Sequence, residues 1–294
     1  MAHTVLLAVD GTPSADRAVE LLASYRGERS ELEIVATNVQ RRPIAIWPEA
    51  AIDARAIEEA LRARGREVTE KAVSRLRSAG LGAEAAVRLD FVAEGILREA
   101  EIRSAGWVVM GTRGHGALGG YAIGSVALRV THASPIPVCL VRAESRLPSR
   151  LGRAMRAMLA VDGSEAALRA AGALVQWRSW LGELDVQIVY VQEPLTYLET
   201  VLPPHDDVIR QWSGRAGEEA TRAVRELLAR ENIRSDLHLA VGDPANEIVQ
   251  LASDTGCELL VMGTRGLGAA HHALVGSVAL KAAAHAAVPV VLVR

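Results

Sequence analysis

The sequence predicts an α/β chain of two tandem doubly wound (Rossmann-like) domains, each built on a parallel five-stranded sheet. The first sign is an internal repeat at an offset of 152 residues: Leu6-Leu7-Ala8-Val9-Asp10-Gly11 recurs as Met158-Leu159-Ala160-Val161-Asp162-Gly163, and Ile136-Pro137-Val138 recurs as Val288-Pro289-Val290. A period that long marks a duplicated domain rather than a solenoid. The second is the alternation of short apolar runs with helix-period patterns in both halves, the signature of strands joined by crossover helices. The third is a Gly-rich loop that directly follows an apolar run in each half.

In chain order the first half reads as strand Thr4 to Asp10, helix Pro13 to Tyr25, strand Glu31 to Gln40, a variable stretch and helix Ile52 to Ala79. Strand Ala83 to Leu89, helix Val92 to Ser104, strand Trp107 to Thr112, a loop, helix Gly124 to Ala133 and strand Val138 to Arg142 follow. Ala15, Ala18, Val19, Leu22 and Ala23 form one stripe of the first helix, and Ala167, Ala170, Ala171, Leu174 and Val175 repeat it, so one face of each helix is expected to cover the sheet. Val108-Val109-Met110 and Leu259-Leu260-Val261-Met262 are apolar without alternation, as strands covered on both faces should be. Domain one spans 1–142 and domain two 155–294. Between them, residues 143–154 are polar, lack strand character and read as the linker.

Composition narrows the function classes. With 33 basic against 35 acidic side chains and 3% aromatics, nothing marks an electrostatic or stacking surface for nucleic acid. No apolar run approaches the roughly 18 residues of a spanning helix, so no membrane segment is expected. Met1-Ala2-His3-Thr4 runs straight into a strand pattern without a basic leader, which makes the cytoplasm the expected location. Cys139 and Cys257 sit at non-equivalent positions in apolar stretches and are expected to be buried thiols.

The chemistry is carried by the loops. Gly111-Thr112-Arg113-Gly114 is followed nine residues later by Gly124-Ser125, and Gly263-Thr264-Arg265-Gly266 by Gly276-Ser277 at the same spacing. A phosphate needs several backbone N–H donors at close range; glycines allow that approach, and a helix N-terminus adds unsatisfied donors and partial positive charge. Ser125 and Ser277 add hydroxyl donors, while Arg113 and Arg265 supply charge that either meets a phosphate or faces solvent. A Walker A loop requires Gly-Lys-Ser/Thr, but Ile123 and Val275 precede the helix glycines, so a lysine-dependent NTPase is not supported. Gly114-His115-Gly116-Ala117-Leu118-Gly119 matches G-x-G-x-x-G, but it follows the fourth strand and its repeat carries His271-His272, so it reads as coincidence. Those adjacent histidines have no carboxylate or cysteine at ligand spacing, and no metal site is expected.

The G-x-x-G-x9-G-S loop, the Val-Asp that closes the first strand (Val9-Asp10, Val161-Asp162) and the Pro-Val that opens the last make each half resemble an ATP-binding domain of the universal stress protein family. The resemblance covers nearly the whole chain, as a tandem member. It implies adenine and ribose contacts at Ala8, Val9, Asp10 and Val39 in domain one, and at Ala160, Val161, Asp162 and Val191 in domain two. Phosphate contacts are implied at Gly111, Thr112, Arg113, Gly114, Gly116, Gly124, Ser125 and Val126, and at Gly263, Thr264, Arg265, Gly266, Gly268, Gly276, Ser277 and Val278. Asp10 and Asp162 also suit ordinary turn and N-cap chemistry. Gly242-Asp243-Pro244 fits the family habit where the third strand meets its helix, whereas Asp90-Phe91-Val92 departs from it.

The expected function is therefore an ATP-binding stress protein, with Mg as an accompanying ion, acting through nucleotide-dependent shape or partner choice rather than turnover. No catalytic residue is assigned. Slow ATP hydrolysis is the enzyme alternative, with His115, His271 or His272 as the nearby titratable groups; a nucleotide-free interaction module is the other. Pro137 to Arg142 and Pro289 to Arg294 are candidate edge strands, so the domains are expected to pack as a pseudo-twofold pair, as in a family homodimer, and the chain to dimerise through such edges.

Overall fold

A computed structural model describes residues 3–24, 32–42, 54–114, 123–148, 154–193, 206–266 and 275–294. The predicted element limits at Tyr25, Glu31 and Ile52 lie outside these residues, as does 149–153 of the predicted linker. Two compact units make up the chain, Met1–Glu144 and Ser145–Arg294.

In unit 1, β1 (His3–Ala8), α1 (Pro13–Ala23), β2 (Leu32–Arg41), α2 (Ala54–Ser78) and β3 (Gly82–Asp90) are followed by α3 (Val92–Ile102), β4 (Trp107–Gly111), α4 (Ser125–Ala133) and β5 (Val138–Val141). The strands pair in parallel in the order β3-β2-β1-β4-β5, with Val5 beside both Ile34 and Trp107. Unit 2 repeats the arrangement: β6 (Met155–Ala160), α5 (Glu165–Leu181), β7 (Leu184–Gln192), α6 (Asp206–Arg230), β8 (Arg234–Val241), α7 (Pro244–Asp254), β9 (Leu259–Gly263), α8 (Ser277–His285) and β10 (Val290–Val293). Its parallel order is β8-β7-β6-β9-β10. This is the predicted doubly wound α/β architecture. In each unit the order reverses beside the first strand, between β1 and β4 and between β6 and β9, and a crevice opens at the strands' carboxyl ends there.

Packing follows the apolar stripes. Ala15, Ala18, Val19 and Leu22 are buried in α1, and α1 packs on α2, β4 and β5; on the other side α3 packs on α4 and β2. Val108, Val109, Leu260 and Val261 are shielded on both faces, which explains their unbroken apolar runs. The outer strands β3 and β8 mix exposed with half-buried residues. Each fully buried Leu or Ile, Leu6, Ile34 and Leu159 among them, contributes about 1.5–3 kcal/mol of hydrophobic stabilisation.

Two glycines set how close the long helices come to the sheet. A Cβ on Gly65 in α2 would lie 2.6 Å from Val87 Cγ1 and 3.1 Å from the Asn38 side chain, and one on Gly217 in α6 would collide with Leu239 and Tyr190. All three residues obey the 152-residue offset, so both long helices seat on their sheets in the same register. Both helices also end alike, in a left-handed residue, Gly80 at φ +80° and Asn232 at φ +53°.

Small departures from the predicted limits have local causes. β1 stops at Ala8 rather than Asp10: the Val9 N–H still bonds the Thr37 carbonyl at 2.9 Å, but Asp10 already opens the turn. β4 stops at Gly111, and Gly124 is the N-cap of α4 rather than its first residue. Ser104, at φ +48°, has left α3.

Candidate functional site

Each unit carries a cleft at the carboxyl ends of its central strands. In unit 1 a cavity of ≈ 640 Å³ is lined by Ala8, Val9 and Asp10 from the end of β1, Val39 from β2, Gly111, Thr112, Arg113 and Gly114 after β4, and Gly124, Ser125 and Val126 at the start of α4. In unit 2 a cavity of ≈ 910 Å³ is lined by Ala160, Val161, Asp162, Val191, Gly263, Thr264, Arg265, Gly266, Gly276, Ser277 and Val278. Gly116 and Gly268 lie outside the described residues, as do His115, His271 and His272.

The helix that opens at each cleft is left without a side-chain cap. Thr12, Ser164 and Asp243 cap α1, α5 and α7 by accepting bonds from Ala15, Ala167 and Asn246. By contrast, α4 and α8 are capped by Gly124 and Gly276, which have no side chain to offer. The cap glycine's own N–H is used, bonding the Thr112 or Thr264 carbonyl at 2.7 Å. The donors of the first turn, at Ser125, Val126 and Ala127 and at Ser277, Val278 and Ala279, line the clefts instead. A helix end of this kind favours an anion. Beside cleft 1, the buried Thr37 and Thr112 hydroxyls have no hydrogen-bond partner among the described residues.

The loops themselves are held from below. Asp10 Oδ1 accepts from the Thr12 N–H at 3.0 Å and its hydroxyl at 2.6 Å, and Asp162 Oδ1 accepts from the Ser164 N–H at 3.0 Å. Turn chemistry thus occupies one carboxylate oxygen. The other, Oδ2, faces the loop: a Cβ on Gly114 would come within 3.0 Å of Asp10 Oδ2, and one on Gly266 would collide with Asp162 Oδ2. Gly111 and Gly263 have a packing reason instead. Their Cβ atoms would run into the first turns of α1, at Ser14 and Ala15, and of α5, at Ala166.

Arg113 is half-buried, and its guanidinium lies 3.6 Å from Glu144. Arg265 is exposed. Among the described residues no group of three or more His, Cys, Asp or Glu side chains could hold a metal ion. Nor is any helix among them long and apolar enough to cross a membrane.

The family model of the universal stress protein family matches residues 1–142 and again 154–294. The chain belongs to the universal stress protein family. A universal stress protein of Mycolicibacterium smegmatis is 26% identical over 302 residues, covering 99% of this chain and 97% of that one. One from Thermus aquaticus is 36% identical over 139 residues, 47% of this chain and 96% of its own length. Among solved structures, a universal stress protein from Archaeoglobus fulgidus superposes with a TM-score of 0.70 at 20% identity, covering 99% of this chain and 98% of that one, and shares the tandem fold.

The one departure from the universal stress protein pattern that the sequence displays leaves the helix in place. Val92 and Pro244 open α3 and α7 at equivalent positions and both line a cleft, although Phe91 is exposed and makes no side-chain cap where Asp243 does. Among the lining residues that sequence reasoning missed are Asn38, Gln40, Arg41, Arg64 and Val68, from the second strand and second helix of unit 1, and Tyr190, Gln192 and Glu193, at the end of the second strand of unit 2. Asn38 Nδ2 donates to the Val9 carbonyl at 2.7 Å and its Oδ1 accepts from Gln40 Nε2 at 2.7 Å, closing the floor of cleft 1. At the same place in unit 2, Tyr190 bonds Gln192 Oε1 at 3.0 Å through its hydroxyl; burial first, and then the Asp162 charge, raise that phenol above its ordinary value. A repeated helix glycine, Gly65 and Gly217, was the available signal for this wall.

Proposed function

We propose that both units bind ATP and that the chain is a cytoplasmic, nucleotide-responsive stress protein, working through conformation or partner choice rather than turnover. The observation that carries this reading is the pair of glycine-capped helix N-termini, each opening into a cleft at the point where the strand order reverses. The loop glycines and the first-turn N–H groups of α4 and α8 would hold the phosphates, and the ends of the first and second strands would line adenine and ribose. Mg would be held through the phosphates rather than by a protein cage. Two buried free cysteines accord with a reducing compartment.

Equilibrium dialysis of the full chain tests the reading directly, with close to two ATP bound per chain expected; the absence of saturable binding sinks it. Mass spectrometry of whatever leaves the purified protein on denaturation adds the identity of any nucleotide carried through purification. Self-association and a protein partner belong to the same proposal. Sedimentation velocity with and without ATP reads both, and a single unchanged species would remove the nucleotide-dependent part.

A further inference from the structure

Near their glycine loops the two clefts repeat the same Gly, Thr, Arg and Ser residues; at the opposite wall the residue types differ. The contacts of Gly65 with Val87 and Asn38, and of Gly217 with Leu239 and Tyr190, fix the helix register, so Arg64 in α2 stands where α6 has Ala216. Gly11 against Val68 and Gly163 against Ala220 give the same register one turn on. At the end of the second strand, Arg41 stands where unit 2 has Glu193, and both line their clefts. Arg41 and Arg64 are exposed and make no ion pair among the described residues, whereas Arg113 is shared with Glu144. Among the described residues, the wall of cleft 1 therefore offers two guanidinium groups where that of cleft 2 offers one carboxylate.

The apolar part of the wall differs in the reverse sense. Asn38 is buried and turned away into its bonds with Val9 and Gln40, and cleft 1 has no aromatic lining residue among the described ones. Cleft 2 has the half-buried ring of Tyr190 at the corresponding place. An aromatic ring supports the flat face of a base whatever the charge at the other end of the ligand.

We infer that the two clefts have diverged in what they read on a nucleotide: unit 1 discriminates by phosphate charge and selects nucleoside triphosphates, whereas unit 2 holds the base against Tyr190 and accepts monophosphates nearly as well. This rests on the nucleotide reading above and deepens it. At separations on the order of 10 Å in screened water, each added pair of charges changes affinity by less than about twofold. The roughly two further negative charges of a triphosphate meet a wall difference of three formal charges, so the ATP-over-AMP preference of unit 1 should exceed that of unit 2 by roughly fivefold.

The test is isothermal titration of the full-length chain with ATP and with AMP, at low and at high salt. In Gly276→Val, which leaves cleft 1, ATP should bind more tightly than AMP and the difference should shrink in high salt. In Gly124→Val, which leaves cleft 2, the two nucleotides should bind alike and respond weakly to salt. Equal ATP-to-AMP ratios in the two variants overturn the divergence while leaving nucleotide binding standing. No binding by either variant or by the unsubstituted chain overturns both. Should a valine variant lose its folded circular dichroism, the exposed substitutions Arg41→Glu and Glu193→Arg in the otherwise unchanged chain decide. The first should lower, and the second raise, the ATP preference of one site of the two, and an unaltered preference in both overturns the inference.

Discussion

The Ser14 hydroxyl donates to the Arg113 carbonyl oxygen at 2.6 Å, tying the first turn of α1 to the glycine loop 99 residues further along the chain. Its counterpart in unit 2 is Ala166, which has no hydroxyl, and there the loop is held by Ser164 Oγ to the Arg265 carbonyl at 3.4 Å. Among the described residues, the start of loop 1 is thus held by a shorter bond than the start of loop 2.

Ser14→Ala removes a buried hydroxyl and leaves the Arg113 carbonyl facing only the Thr12 hydroxyl at 3.2 Å, whose one proton is already drawn to Asp10 Oδ1 at 2.6 Å. The expected cost is about 1 kcal/mol of stability in unit 1. Hydrogen exchange at the amides around Arg113 should accelerate, while those around Arg265 keep their rates. Equal acceleration in both loops would show that the tether is not local.

A branched side chain at the cap position of α4 or α8 stands between an anion and the first-turn donors. Gly124→Val should therefore abolish ATP binding in unit 1 alone, and Gly276→Val in unit 2 alone, each halving the dialysis stoichiometry. The cap glycines have ordinary extended angles, and a Cβ there meets the Thr112 carbonyl at 3.2 Å or the Thr264 carbonyl at 3.4 Å, so the fold should survive. Undiminished binding in either variant removes that loop from the site.

Acid should weaken unit 1 through Glu99. Burial alone would raise its carboxyl, but bonds from Arg88 at 2.8 Å and Arg103 at 2.9 Å outweigh burial and hold it below the ordinary value. A carboxylate depressed in the folded state stabilises fully above its unfolded value, near pH 4, and the contribution is lost as pH falls through the folded one. Glu99→Gln should cost roughly 2 kcal/mol at neutral pH and flatten the decline in stability below about pH 4. Unit 2 carries Leu251 at this position and has no such contribution. Urea unfolding across pH is the measurement, and an unchanged slope in the variant would discount the ion pairs.

Both thiols should be silent in the native chain. Burial pushes Cys139 up to about 12, and burial is also the main cause raising Cys257. Thiolate is the reactive form, so a maleimide at mildly alkaline pH should label neither residue until denaturant is added. Rapid native labelling of Cys139 would mean that β5 opens readily.

The fold was legible because duplication wrote each signal twice. Val108-Val109-Met110 alone is an ambiguous apolar run; paired with Leu260-Val261-Met262 and followed by the same loop, it could only be a central strand. The loop side of the cleft was legible for the same reason. The far wall was not, because Arg64 reaches it from the middle of a long helix that follows a variable stretch, and nothing in local periodicity says which turn of α2 faces the cleft. Asn38 and Tyr190 were hidden differently: as inner residues of strands they read as core, and only their hydrogen bonds reveal a place at the crevice floor.

If the bare caps of α4 and α8 take the proposed nucleotide, binding and folding become linked. An anion seated on those donors would complete the helix end that the sequence leaves open, and each unit's melting point would then become a gauge of concentration: about 2.7 kcal/mol is added when a ligand stands a hundredfold above its Kd. If both ends take a nucleotide, the chain would have four occupancy states, and clefts of different affinity would fill in sequence as nucleotide rises. A heat pulse at low nucleotide would then melt the emptier unit first, converting a change in small-molecule supply into a partly unfolded surface on one half of the chain.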